Sequence, residues 1–139
     1  MIVLDTNVIS EMMKPEPTER VARWMAAQPA TSLYTTAITQ AEILHGVMLL
    51  PAGRRRSAVE AAAEAMFRGD FGGRVLPFGS DAARVYARIA SDRGRAGRPI
   101  SHFDAQIAAI ARCTGAAVAT RNVSDFGGCG VQVIDPWMA

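Results

Sequence analysis

Short β-prone runs alternate along the chain with longer segments in which apolar residues recur at helical spacing. Five runs predict strands, at residues 2–4, 32–36, 74–78, 116–120 and 130–134. The segments between them predict helices near residues 6–13, 18–28, 37–49, 54–68, 80–91 and 101–113, separated by Pro and Gly. This alternation predicts a three-layer α/β fold, with a mostly parallel sheet of about four to five strands flanked by helices.

Helix starts are predicted from capping residues. Thr18 and Ser80 are expected to be N-caps, and Ser57 with Glu60 has the spacing of a capping box. The Gly- and Arg-rich residues 93–99 are expected to form a loop. Gly115 is expected just past the C-terminus of the helix at 101–113, where a left-handed residue often ends a helix.

Length and composition indicate one folded unit. The chain has 139 residues, half of them hydrophobic and a fifth charged, and it contains no repeat or long linker. We therefore expect a single domain over residues 1–139. The two cysteines, Cys113 and Cys129, form no disulfide framework and have no zinc-type spacing. No apolar segment reaches the length of a membrane span, and no signal peptide is recognisable, so a soluble cytoplasmic protein is expected.

Positive charge is concentrated in arginine, although the net charge is only +2. Five arginines lie between Arg84 and Arg98, and three more form the cluster 54–56. Arginine makes forked contacts to phosphate, so the segment from Arg84 to Arg98 is a candidate RNA-contacting surface. A solvated helix face is the alternative interpretation.

Asp5 ends the first apolar run, Ile2-Val-Leu4. A carboxylate at the end of a buried strand requires compensation by a cation, hydrogen-bond donors or a metal. The simpler interpretation is that Asp5 caps the helix beginning near Thr6. Its functional interpretation therefore depends on whether other acids occupy equivalent places.

Three further acids occupy such places. Glu42 has mostly apolar neighbours at helical spacing, although a capping box opened by Thr39 also explains it. Asp104 heads the most apolar stripe of its helix and is expected to point toward the sheet. Asp125 follows the fourth predicted strand, in a loop that can share a crevice with Asp5, but it also suits an ordinary turn.

Convergence of these four carboxylates at one edge of the sheet would produce strong repulsion unless a cation is bound. Oxygen ligands favour Mg²⁺ or Mn²⁺, and the scarcity of His and the lack of paired Cys disfavour zinc. Such a site, flanked by arginines, suits cleavage of a phosphodiester bond. No nucleophilic triad, Walker loop or dinucleotide fingerprint is present.

Four motifs in this order resemble the PIN domain, and in particular the VapC toxins, FitB-like branch, of bacterial type II toxin-antitoxin pairs. They are Ile2-Val-Leu-Asp-Thr-Asn7, Glu42 after the second strand, Asp104-Ala-Gln-Ile-Ala-Ala109, and Thr120-Arg-Asn-Val-Ser-Asp-Phe126. The resemblance extends from Met1 to the end of the chain.

The resemblance implies an endoribonuclease that depends on Mg²⁺ or Mn²⁺, held chiefly by Asp5 and Asp104. Glu42 would complete the acidic cluster and help to position or activate water, and Asp125 would be the fourth acid, unless Asn122 lies nearer the metal. The polar residues that would orient the acids or contact substrate are Thr6, Asn7, Thr120 and Asn122. The family also implies a homodimer and an antitoxin that blocks the acidic pocket, commonly with an arginine, while its other end binds operator DNA.

Other classes fit less well. A haloacid-dehalogenase-like phosphatase needs a second Asp where this chain has Asn7, and a later lysine where the only lysine is Lys14. A receiver domain needs an early acidic pair that is missing. The remaining alternative is a PIN-like binding module that acts mainly through its antitoxin complex on operator DNA, with little nuclease activity.

Overall fold

A computed structural model describes all residues of the chain, 1–139, and contains a five-stranded sheet with helices on both faces. The strands are β1 (Ile2–Leu4), β2 (Leu33–Thr36), β3 (Val75–Leu76), β4 (Ala117–Ala119) and β5 (Val133–Ile134). The helices are α1 (Thr6–Met12), α2 (Glu19–Ala27), α3 (Ala37–Met48), α4 (Arg54–Ala65), α5 (Ser80–Arg95), α6 (His102–Thr114) and α7 (Val123–Phe126). A 3-10 turn, Ala30–Ser32, precedes β2, and a π-helical turn, Met66–Asp70, follows α4.

All the strand pairs are parallel, and the strand order is β3-β2-β1-β4-β5. The predicted three-layer α/β fold is therefore confirmed. β1 is the central strand, with Ile2 opposite Leu33 on one side and Leu4 opposite Ala119 on the other. Parallel alignment brings the carboxyl ends of β1, β2 and β4 to the same edge of the sheet, which is where α/β proteins place their sites.

Successive residues of the central strands face opposite layers. Val3 and Val118 pack in a core with α5 and α6, whereas Leu4 and Ala119 pack in a second core with α1 and α4. A strand buried on both faces needs a continuous apolar sequence, which explains the uninterrupted Ile-Val-Leu run of β1. No helix is both long and apolar enough to cross a bilayer.

Of the three predicted helix caps, the one at Thr18 is confirmed, and those at Ser80 and at Ser57 with Glu60 were wrong. The N-cap of α4 is Gly53, with φ 150°, so Ser57 and Glu60 lie inside the helix and form no capping box. α5 begins at Ser80 after an N-cap at Gly79, and Thr18 occupies the N-cap of α2 without a side-chain hydrogen bond. A side-chain cap stabilises a helix by only about 1 kcal/mol, so a capping residue in the sequence does not by itself fix where a helix begins.

The helix that supports one side of the sheet is longer than expected. α5 continues through Arg95, so the predicted loop over residues 93–99 starts inside the helix. By contrast, the predicted end of α6 is confirmed, since Gly115 has φ 71° and its amide donates to Ala111 and Arg112 carbonyls. A residue with a Cβ is disfavoured in this left-handed conformation.

Candidate active site

Asp5 lies where the central strand leaves the sheet, and its side chain is 3% exposed. Its Oδ1 accepts a hydrogen bond from the Thr6 amide at 2.8 Å, which makes Asp5 the N-cap of α1. Its Oδ2 accepts from Thr120 Oγ1 at 2.8 Å and from Asn7 Nδ2 at 3.3 Å. The capping interpretation of Asp5 is thus correct, and it does not exclude a functional one.

Thr120 joins the end of β4 to the start of α1. Its hydroxyl donates to Asp5 and also accepts hydrogen bonds from Asn7 Nδ2 at 3.2 Å and from the Asn122 amide at 3.1 Å. Asn7 Oδ1 in turn accepts from the Arg121 amide at 3.3 Å. Four polar residues expected near the site therefore form a network around Asp5, and this network fixes its carboxylate.

Glu42 reaches the same edge from α3. Thr6 Oγ1 donates to Glu42 Oε1 at 2.9 Å and lies 3.0 Å from Thr39 Oγ1. The cap of α3 is Thr36, whose hydroxyl accepts from the Thr39 amide, so the alternative that Thr39 and Glu42 form a capping box is wrong. Thr39 is fully buried and instead supports Thr6. In the sequence, the position of Thr39 one helical turn before Glu42 was the feature that could have indicated this supporting role.

Asp104 lies in the first turn of α6, where Ser101 Oγ accepts a hydrogen bond from its amide at 3.2 Å. The side chain is half-buried. It faces an open, mostly polar cavity of about 450 Å³ at the carboxyl edge of the sheet, here named the acidic cavity. Six residues predicted from sequence line it: Asp5, Thr6, Asn7, Glu42, Asp104 and Asn122.

Five further residues line the acidic cavity and were not singled out from sequence: Ser10, Glu11, Lys14, Arg121 and Trp137. Glu11 is buried and accepts hydrogen bonds from Lys14 Nζ at 3.2 Å and from the Thr18 amide at 3.3 Å. The Arg121 guanidinium lies over the indole of Trp137, 5.2 Å from the ring centroid. Trp137 is the one hydrophobic residue in the lining.

Asp125 is exposed on the short helix α7 and does not line the acidic cavity, whereas Asn122 does. Thr120, although it is buried beneath the lining, bonds directly to Asp5. Asp125 still influences the site, because its charge raises the pKa of Asp104. Of the four acids, three share the cavity and the fourth acts on it from outside.

Asp5, Glu42 and Asp104 are each harder to ionise than an ordinary carboxyl group. Burial raises the pKa of Asp5 to about 6, against hydrogen bonds from Thr120 and the Thr6 amide, and the charges of Asp104 and Glu42 add to the rise. Burial also raises the pKa of Glu42, with opposition from the Thr6 hydroxyl. Burial likewise raises the pKa of Asp104, where Ser101 and the charge of Arg93 act in the opposite direction. The cavity therefore concentrates negative charge that protein groups only partly compensate.

Oxygen donors dominate the acidic cavity, and neither His nor Cys lines it. That donor set and the excess of negative charge fit a hard divalent cation such as Mg²⁺. The acids are spread across the cavity, and no group of three or more His, Cys, Asp or Glu lies close enough to hold one ion together.

Arg93 was expected to contribute to an RNA-contacting surface, but it is buried, at 7% exposure. Its Nε donates to the Arg98 carbonyl at 2.7 Å, and one terminal nitrogen donates to the carbonyls of Asp125 and Gly127 at 2.9 and 2.8 Å. Arg93 therefore ties the segment carrying α7 to α5. Arg84, Arg88 and Arg95 remain exposed on α5.

A parallel three-layer α/β fold with acids gathered at the carboxyl edge of its sheet defines a class of candidate metal-dependent hydrolases. The family model of the PIN domain matches residues 2–126. The chain belongs to the PIN domain family, which confirms the resemblance identified from its motifs.

Relatives that match almost the whole chain place it more specifically within the family. The chain is 44% identical over 137 residues to the VapC ribonuclease Y4jK of Sinorhizobium fredii, covering 99% of this chain and 98% of that protein. It is 40% identical over 137 residues to toxin FitB of Neisseria gonorrhoeae, covering 99% of each. It also matches a solved structure of FitAB bound to an IR36 DNA fragment, with a TM-score of 0.92, 40% identity and coverage of 99% of this chain and 96% of that chain.

Proposed function

We propose that residues 1–139 form a single domain that acts as the toxin of a type II toxin-antitoxin pair, cleaving RNA internally at phosphodiester bonds with Mg²⁺ or Mn²⁺. The observation that carries the proposal is the meeting of Asp5, Glu42 and Asp104, from three separate elements, in one open polar cavity. Family membership and the VapC ribonuclease and FitB toxin relatives support it.

In this proposal Asp5 and Asp104 hold the metal, because Mg²⁺ in nucleic-acid enzymes is commonly bound by one or two carboxylates together with water and substrate phosphate. The metal would supply positive charge for the phosphate oxygens and lower the pKa of a bound water. Burial raises the pKa values of Asp5, Glu42 and Asp104, and the charges of neighbouring carboxylates add to the rise, so a bound cation would favour their ionised forms.

The roles of the protein groups follow from their contacts. Thr120, Asn7 and the Thr6 amide fix both oxygens of Asp5, so its orientation is set before substrate binds. Glu42 is held by the Thr6 hydroxyl and has a raised pKa, which makes its carboxylate a better proton acceptor than an ordinary glutamate. We assign Glu42 to accepting a proton from the attacking water. Asp125 adjusts the charge at Asp104 from outside the cavity.

The proposed partners are a cognate antitoxin, operator DNA bound through that antitoxin, and a second copy of this chain. The structural match to FitAB on a DNA fragment supports the first two. A positively charged side chain of the antitoxin placed among the cavity acids would be an effective inhibitor, because Asp5, Glu42 and Asp104 form no salt bridge within the chain. We propose that the pair acts in the bacterial cytoplasm.

The test is cleavage of a cellular RNA pool by purified protein with Mg²⁺ or Mn²⁺, with and without EDTA. The variants are Asp104→Asn, which removes one cavity charge, and Asp81→Asn as a matched control, since Asp81 is an exposed acid on α5. We expect cleavage by wild type and Asp81→Asn only, abolished by EDTA. Metal-independent cleavage, or equal cleavage by Asp104→Asn, would contradict the proposal.

Operator binding without RNA cleavage would instead favour the alternative of a binding module. This outcome is measured by gel shift of the antitoxin complex on operator DNA beside the cleavage assay. Sequencing of the RNA ends would then identify the substrate for a protein that does cleave.

A further inference from the structure

Part of the lining of the acidic cavity carries a different chemistry from that of its acids. It contains the pair Arg121 and Trp137, in which the guanidinium lies over the indole at 5.2 Å. Arg121 is exposed and forms no ion pair with any carboxylate and no side-chain hydrogen bond. Its donors and its outer face are therefore available to a ligand.

Both members of the pair are held in place. Trp137 packs against the core of α1 and α4, its amide donates to Asp135 Oδ1 at 2.9 Å, and its carbonyl accepts from Arg20 at 3.2 Å. The Arg121 amide donates to Asn7 Oδ1, and Asn7 also contacts Asp5. The stacked pair is thus fixed relative to the carboxylate proposed to hold the metal, through a single intervening side chain.

We infer that Arg121, backed by Trp137, is a nucleobase-binding subsite that takes an unpaired base of single-stranded RNA next to the bond being cleaved. The inference rests on the proposed function and specifies its substrate class. Bases of single-stranded RNA stack on aromatic rings and on arginine guanidinium planes, whereas paired bases in an A-form helix do not expose their faces. In this arrangement the acids of the cavity would hold the metal and the phosphate, and Arg121 with Trp137 would hold a base.

The competing interpretation is that Arg121 binds a phosphate group. The substitution Arg121→Lys distinguishes phosphate binding from base binding. Arg121→Lys keeps the positive charge but removes the plane on which a base would stack. Stacking of a base is worth about fivefold to a hundredfold in affinity, whereas a charge-only contact is retained by lysine. Trp137→Phe keeps an aromatic support and serves as a second variant, because Trp137 also packs in the core.

The experiment measures binding by fluorescence anisotropy in an Asp104→Asn background, which separates binding from cleavage. The probes are an end-labelled single-stranded oligoribonucleotide that spans a mapped cleavage site, a set of the same oligonucleotide with one abasic position each, and its duplex. The matched control is Arg68→Lys, an exposed arginine in the π-helical turn after α4 that lies outside both the acidic cavity and the segment from Arg84 to Arg98.

We expect Arg121→Lys to weaken binding of the intact single strand at least fivefold, Trp137→Phe to weaken it less, and Arg68→Lys to leave it unchanged. One particular abasic position should weaken binding to the Asp104→Asn parent by a similar factor, and with that probe the Arg121→Lys variant and its parent should bind equally. Equal affinity of Arg121→Lys and parent for the intact strand, equal loss with every abasic probe, binding of duplex as tight as single strand, or no RNA binding at all would overturn the inference. Wild-type RNA cleavage beside any of these results would leave the proposed nuclease activity intact.

Discussion

Asp5→Asn should make the metal-free protein more stable while abolishing its activity. At neutral pH the buried carboxylate must be ionised against its environment, since its pKa is raised from 3.8 to about 6. A difference of roughly two units corresponds to about 3 kcal/mol of lost folding free energy. Replacement by a neutral amide removes that loss.

Hydrogen bonding offsets part of the gain. Asn can keep an oxygen toward the Thr6 amide, but its amide nitrogen would face Asn7 Nδ2, which now donates to Asp5 Oδ2. Thr120 would also have to accept where it now donates. These changes cost about 1–2 kcal/mol, so the expected net increase in the free energy of unfolding is about 1–2 kcal/mol.

The pH dependence gives the sign of the effect. Because the folded pKa lies above the unfolded one, the stability that protonation of Asp5 contributes is fully present below the unfolded value of 3.8 and is lost as pH rises through about 6. The advantage of Asp5→Asn should therefore shrink by about 2 kcal/mol between about pH 7.5 and about pH 4.5.

Urea unfolding in EDTA at the two pH values, followed by circular dichroism, measures the difference. Asp81→Asn is again the control, and its stability should follow wild type. Added Mg²⁺ should stabilise wild type and not Asp5→Asn. An Asp5→Asn protein that is less stable than wild type at about pH 7.5, or whose stability difference is the same at both pH values, would refute this reasoning.

Four other substitutions test separate parts of the structure. Arg93→Gln removes charge-assisted hydrogen bonds to three carbonyls and should lower the free energy of unfolding by about 3 kcal/mol, measured in urea; a change below about 1 kcal/mol would show that these bonds do not hold α7. Thr39→Val removes the buried hydroxyl beside Thr6 and should reduce RNA cleavage at unchanged fold, seen by circular dichroism; full activity would remove Thr39 from the positioning of Glu42. Gly46→Ala should raise the free energy of unfolding by about 0.5–1 kcal/mol, because Gly46 lies inside α3 and no atom lies within 4 Å of the added Cβ. Gly115→Ala should lower it by about 1 kcal/mol, because Gly115 has φ 71°. Thermal midpoints equal to that of wild type would contradict both predictions.

Local sequence was sufficient for the features that local physics decides. The apolar run before Asp5 identified a buried strand and the edge at which it ends, and parallel strands then required the sites that follow them to meet. Gly115 marked a helix end because only backbone without a Cβ adopts that conformation freely. The acids Glu42 and Asp104 were found from their apolar helical neighbours.

Features that depend on distant contacts were not predictable. Arg93 was assigned to a surface, because nothing nearby in sequence indicates that carbonyls at 125 and 127 surround it. The stacking of Arg121 on Trp137 likewise joins residues from the ends of different strands. The interpretation that Thr39 caps α3 was wrong, because Thr36 is the cap. Both threonines have the same local preference for a cap, and Thr36 takes this place because β2 ends there.

The central position of β1 in the sheet affects the order in which the site can form during synthesis of the chain. β1 is the central strand of the sheet, and one of its two neighbours, β4, follows it by more than a hundred residues. The Asp5 carboxylate therefore receives its hydrogen bond from Thr120 only after that later residue has been synthesised. A partly synthesised chain that ends before β4 therefore lacks one neighbour of its central strand and also the hydroxyl that orients Asp5, so the proposed site can form only after the late pairing of β4 with β1.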